Sequence, residues 1–172
     1  MTDWEAIVAE HGPVVWRTAY RLLSNEADAS DCMQEAFVAA VHVSRREAVR
    51  SWPALLKRLA TRRALDRLRA RMRRSARRGG PVELADLADG GGGPQRRNEL
   101  RELSERVGRA LSRLPARQAE VFCLRHLSEM SHEEIAEQLD LGRSNVRMLL
   151  HRARSRLREL LADLAAAGRG KG

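Results

Sequence analysis

Residues 131–158, SHEEIAEQLDLGRSNVRMLLHRARSRLR, constrain the fold more than any other stretch. Ser131 and Glu134 have the spacing of a capping box, which opens a helix by satisfying two orphan backbone donors. Ile135, Ala136 and Leu139 fall on one face of that helix. Asp140 to Gly142 leaves room only for a tight turn. From Arg143 to about Leu161 a second helix turns Val146, Leu150, Ala153 and Leu157 inward. Ala136 and Val146 stand on either side of the turn. A small residue at the first position lets the helices cross closely, and a β-branched residue at the second fixes the angle. The outward face carries Arg143, Ser144, Arg147, Met148, His151 and Arg152. A helix, a short turn and a basic helix outline a helix-turn-helix, which lays its second helix in the DNA major groove. Arginines on that face can meet guanine O6/N7 or phosphate, and Met148 a thymine methyl.

Nothing in the rest of the chain alternates as a strand does, and Ala, Leu, Arg and Glu dominate. The expected fold is all-α: two small helical domains joined by a flexible Gly-rich linker, the second a helix-turn-helix of winged-helix-like type. A first helix is expected over Asp3 to Glu10, broken at Gly12-Pro13, and a second over Val14 to Leu23. The third, Glu26 to Val43, places Cys32, Met33, Ala36, Phe37, Ala40 and Val41 on one buried stripe. Asp31, Gln34, Glu35 and Val38 lie on a different face of it. That face reads either as a solvated surface or as an acidic docking surface. The fourth helix, Trp52 to about Arg74, carries two apolar stripes, Trp52/Leu55/Leu56/Leu59 and Leu65/Leu68/Met72, so it should meet different neighbours along its length. Arg58, Arg62, Arg69 and Arg73 line one side of it.

The segment GGPVELADLADGGGGPQ is expected to be a flexible linker leaving two independently moving halves, with VELADLA at most a transient turn of helix. The division is 1–78, linker 79–98, second domain 99–164 and a disordered tail 165–172. Within the second domain, Glu99 to Leu114 and Ala116 to Leu127 precede the helix-turn-helix. Leu100, Leu103, Val107, Ala110 and Leu111 form the apolar stripe of the first of these.

Of 172 residues, 32 are Lys or Arg and 23 are Asp or Glu, a net charge of +9. Residues 51–80 hold eleven basic groups and one acid, which favours phosphate contact over a merely solvated face. The two cysteines form no C-x-x-C pair and sit at apolar helical positions, so buried free thiols are expected and no zinc site. No cofactor or small-molecule substrate is implied. There is no signal-peptide pattern and no membrane-length apolar run, so a reducing cytoplasm is the expected compartment.

Three stretches in order, DASDCMQEAFVAAV, SWPALLKRLATRRALDRLRARMRR and LPARQAEVFCLRHLSEMSHEEIAEQLDLGRSNVRMLLHRARSRL, resemble an extracytoplasmic-function (ECF) sigma factor, the smallest kind of the bacterial primary sigma factor family. The resemblance spans about residues 4–78 and 99–161. It implies no enzyme but a promoter-specificity subunit. Its partners would be core RNA polymerase, through the largest-subunit clamp helices and the flap, promoter DNA, and an anti-sigma factor. By resemblance, Asp31, Gln34, Glu35 and Val38 dock on polymerase. The loop Ser44 to Ser51, with Arg45, Arg46 and Arg50, captures a flipped base. Trp52, Arg58, Arg62, Arg69 and Arg73 belong to the minus-10 helix, and Arg143, Ser144, Asn145, Arg147, Met148, His151 and Arg152 to the minus-35 reader. The chain departs from the family at Arg62, where asparagine is usual, and at Asp140, where glycine is usual. Gly142 stands for a capping serine, and Met148-Leu149 for a polar pair. A stand-alone helix-turn-helix regulator is the other reading of the residues. A nuclease or recombinase would need an acidic metal cluster or a suitably placed nucleophile, and Tyr20, the sole tyrosine, sits on a core-like helix.

Overall fold

The structure, a computed structural model, describes residues 2–79 and 93–169. Seven helices follow one another: α1 (Trp4–Leu23), α2 (Glu26–Ser44), α3 (Trp52–Arg78), α4 (Pro94–Arg113), α5 (Ala116–His126), α6 (His132–Leu139) and α7 (Arg143–Arg169). No strand occurs among the described residues, so the reader helix has no β wing there. The VELADLA segment lies outside the described residues.

Asp3 opens α1, its carboxylate accepting from the Ala6 N–H at 3.1 Å. The helix does not break at Gly12-Pro13, as the sequence reading expects, but runs on to Leu23. Ile7, Val15, Ala19, Leu22 and Leu23 form a buried set on both sides of the proline. An interior proline costs ~3 kcal/mol. Burying a large aliphatic side chain contributes about 1.5–3 kcal/mol each, so several together outweigh it. Asn25 then caps α2, accepting from Asp28 N–H at 2.8 Å. Cys32, Ala36, Phe37 and Ala40 of the expected stripe are buried.

The two stripes of α3 meet different neighbours, as their spacing predicts. Leu55 and Leu56 pack with Ile7, Val15, Ala36 and Phe37, while Trp52 and Leu59 flank that cluster. The Trp52 ring meets Trp4 edge-on at 5.1 Å. Leu65 and Leu68 join Ala19, Leu22 and Leu23 of α1, but also Ala110, Leu111, Leu114, Ala119, Cys123, Leu157 and Leu160. One apolar core therefore serves both sides of segment 80–92. In this structure the two halves are packed together, and separating them would return the second α3 stripe to water.

Polar contacts cross the same seam. Thr61 Oγ1 and Ser128 Oγ share a buried hydrogen bond of 3.1 Å. Arg21 donates to the Leu127 carbonyl, and Arg50 pairs with Glu137 at 3.2 Å. Ala54, at the start of α3, packs into the helix-turn-helix core beside Met130 and Ile135.

Two element ends also differ from expectation. Helix α4 begins at Pro94 rather than Glu99. Proline suits a first helical position, where its missing N–H has no intrahelical partner to lose. Only the end of its apolar stripe is packed: Ala110 and Leu111 are buried, whereas Leu100, Leu103 and Val107 remain exposed. Helix α7 continues through 165–169, which were expected in the tail. Buried Leu160 and the flanking Leu161 and Leu164 extend its packing on the shared core.

Candidate nucleic-acid interface

The reader is built as its spacing predicts. Ser131 Oγ accepts from the Glu134 N–H at 3.1 Å, and Ser131 N–H donates back to Glu134 Oε2 at 2.7 Å. Ala136 and Val146 lie in one buried cluster with Ile135, Leu139 and Leu150. Between the helices Asp140 takes the left-handed conformation, φ 52°, and the Leu141 N–H donates to the Ala136 carbonyl at 2.9 Å. A left-handed backbone suits glycine and is tolerated by aspartate. Asp140→Gly is therefore expected to stabilise the fold by ~0.5–1 kcal/mol. That is a rise of roughly 1–4 °C in the thermal midpoint for a chain of this size. A midpoint that falls would show the aspartate side chain to be worth more than the strain.

Arg143, Ser144, Asn145, Arg147, Met148, His151 and Arg152 are all exposed along α7. Arg143 is tied to Glu133 of α6 at 3.2 Å, which orients it at the helix start. The outward face therefore holds four guanidinium or imidazole groups and one thioether, a set suited to base edges and phosphates.

The arginines of α3 are placed differently. Arg58 is half-buried, its pKa lowered by burial, with Glu120 of α5 acting the other way. Its Nε is buried without a hydrogen-bond partner among the described residues. Arg62 and Arg69 line a cleft shared with Ala116, Arg117 and Glu120 of α5. Arg69 and Arg73 line a second cleft with Arg109 and Arg113 of α4. The arginine side of α3 thus faces the second half of the chain. Arg45 and Arg46 are exposed at the end of α2, and Arg50 is held by Glu137 of α6.

The acidic side of α2 is not simply solvated. Arg67 of α3 reaches Asp28 at 3.1 Å, Asp31 at 3.4 Å and Glu35 at 2.7 Å. Burial works against the Arg67 charge, but the Glu35 hydrogen bond and neighbouring charges leave its pKa raised. Arg71 donates to Asp28 at 2.7 Å and to the Leu23 carbonyl at 2.8 Å, closing the end of α1. Arg63 stands 3.8 Å from Glu35. Gln34 and Val38 are exposed on the same side. The sequence reading singled out the α2 acids but missed Asp28, Arg67 and Arg71 as a group. The i, i+4, i+8 spacing of Arg63, Arg67 and Arg71 was the available signal.

Both cysteines are free and buried. Burial pushes the Cys32 thiol up to about 11 and the Cys123 thiol up to about 12, so neither is a nucleophile at neutral pH.

The "Sigma-70 region 2" family model matches residues 7–74, and "Sigma-70, region 4" matches residues 104–157. The chain belongs to the sigma-70 family. Its curated relatives include ECF sigma factors. It is 31% identical over 166 residues to the ECF RNA polymerase sigma factor SigE of Mycolicibacterium smegmatis, covering 94% of this chain and 63% of that protein. It is 29% identical over 157 residues to the ECF RNA polymerase sigma factor SigW of Bacillus subtilis, covering 87% of this chain and 84% of that one. Among solved structures, CnrH in complex with the cytosolic domain of CnrY matches with TM-score 0.58 and 25% identity, over 93% of this chain and 88% of that one. The sigma factor RpoE of Bartonella quintana, in complex with the anti-sigma factor NepR, matches with TM-score 0.57 and 23% identity, over 94% and 98%. Most of α1 to α3 thus lies in region 2 of this sigma factor, and the end of α4, α5, α6 and the first half of α7 in region 4. No helix among the described residues is long and apolar enough to cross a membrane.

Proposed function

We infer that this sigma factor directs core RNA polymerase to promoters, reading the minus-35 element with α7 and the minus-10 element with α3 and the loop before it. One observation carries the reading: a fully outward set of base-capable side chains on α7 stands behind a capped, close-crossing α6, in a chain matched by both sigma regions. Arg143, Ser144, Asn145, Arg147, Met148, His151 and Arg152 would contact the minus-35 duplex. Arg45, Arg46, Arg50, Trp52, Arg58, Arg62, Arg69 and Arg73 would serve the minus-10 strand separation. Asp31, Gln34, Glu35 and Val38 would dock on the polymerase clamp helices. An anti-sigma factor completes the partners that the family resemblance implies. The place of work is the cytoplasm, on the nucleoid within the holoenzyme.

The closed packing is the unengaged form in this reading. Arg58 and Arg69 are turned toward α4 and α5, so promoter opening requires the halves to part. Reconstitution with core polymerase tests the function: promoter-initiated transcripts should depend on the added chain. Duplex binding with no effect on polymerase would favour a stand-alone regulator.

The docking surface has a cleaner test than its acids. Asp31 and Glu35 also hold Arg67, so their removal disturbs packing inside region 2. Val38 is 58% exposed and carries no charge. Val38→Asp should weaken polymerase binding roughly fivefold, on the order of 1 kcal/mol, while leaving the thermal midpoint unchanged. Unchanged polymerase affinity would remove this face from the interface.

A further inference from the structure

We propose that the cleft between α3 and α4 is a binding site for a small multivalent phosphate, formed only when the two halves are closed. The cleft measures about 590 Å3 and is lined by Arg69, Arg73, Arg109 and Arg113, with Met72 and Ser112 among the other walls. Two guanidinium groups come from each helix, and no carboxylate lines it among the described residues. Its neighbours differ. The cleft against α5 contains Asp66 and Glu120, and the one beside the Arg50 loop contains Glu47, Glu137 and Asp140. Those two set carboxylates among their arginines; the described lining of this one does not.

The carboxylates nearby only partly answer its charge. Asp66 stands 3.7 Å from Arg69, and Glu105 stands 3.2 Å from Arg109. Arg69 Nη2 is buried without a hydrogen-bond partner among the described residues. A buried guanidinium charge whose donors are not all answered is costly, and an anion in the adjoining cleft lowers that cost electrostatically. Guanidinium forks also pair bidentately with phosphate, which favours a chain of phosphate groups over a single monovalent anion. A duplex is a poor occupant, because α4 forms one wall.

The site links ligand to conformation. Closure brings like charges on α3 and α4 together, and an anion between them relieves that repulsion. A ligand that binds the closed form alone must shift the population toward it. Two of the four arginines, Arg69 and Arg73, belong to the proposed minus-10 side. Occupancy therefore opposes their use on DNA. The source can be an inorganic polyphosphate or a nucleotide, whose shared chemistry is the phosphate chain.

Calorimetric titration of the full chain with tripolyphosphate, at constant ionic strength, tests the site. Saturable binding at least tenfold tighter than that of sulfate is expected. Arg109→Ala/Arg113→Ala should weaken it at least tenfold with an unchanged circular dichroism spectrum, since neither residue belongs to the proposed DNA-reading sets. Gly108→Trp, which wedges α3 from α4, should weaken it similarly while keeping all four arginines. Unaltered affinity in either variant would assign binding to general basicity and overturn the proposal, as would the absence of saturation. A parallel titration with guanosine triphosphate separates the sources: equal affinity identifies the phosphate chain alone, and tighter binding a nucleotide. The assay contains no polymerase, so its result is independent of the promoter reading.

Discussion

Gly108→Trp is expected to open the seam between the two halves and raise the apparent affinity of the chain for core polymerase and promoter about tenfold. Gly108 lies on α4 against α3. A Cβ there would already stand 3.0 Å from the Met72 methyl and 3.3 Å from Leu68 Cδ1. Both distances are tighter than ordinary packing, and an indole has far more to place. Overpacking costs about 1–3 kcal/mol. Because the strain exists only when closed, it shifts the closed-to-open ratio by about 5- to 150-fold, and apparent affinity rises until opening no longer limits it. Scattering should show a larger radius of gyration, with helix content retained. Affinity that stays constant while the radius grows would mean that closure does not limit engagement.

Asp28→Ala is expected to lower stability by roughly 2–3 kcal/mol. Asp28 bridges Arg67 and Arg71, and Arg71 is only 9% exposed. Removing one partner of a buried pair costs about 3–5 kcal/mol, because the other charge is stranded. The lower figure applies here, since the Asp28 carboxylate is one-third exposed and Arg71 keeps the Leu23 carbonyl. Loss of an acid from the first turn of α2 adds a few tenths. The thermal midpoint should fall by roughly 4–12 °C. A fall of less than about 2 °C would show that water replaces the carboxylate without difficulty.

Which features could be read from sequence follows from the range over which each is encoded. The α6–α7 reader was legible residue by residue, because a capping box, a short turn and two apolar faces are all local signals. So was the double stripe of α3. The continuity of α1 was not: Gly12-Pro13 is a strong local break, overridden by burial of Val15, Ala19 and Leu22 against other helices. The start of α4 is not legible locally, because Pro94 follows a glycine run that reads as linker punctuation. The Asp28–Arg67–Arg71 network joins residues on two helices, and neither helix alone states the pairing. The seam was hidden for a related reason. Leu65 and Leu68 announce that something must cover them, but not whether it comes from the same half or the other.

That shared cover has a cost in the proposed opening of the two halves. Leu65, Leu68, Leu111 and Leu114 are each at most 4% exposed while the halves are closed. Parting α3 from α4 and α5 uncovers aliphatic side chains on both faces at once, the kind of contiguous apolar surface that brings separate molecules together. Unless polymerase or another partner takes hold promptly, two opened molecules can satisfy each other's leucines by exchanging halves. Colloidal behaviour and readiness for transcription therefore pull in opposite directions. A variant selected only for easy opening should be the one that precipitates when made in excess of its polymerase.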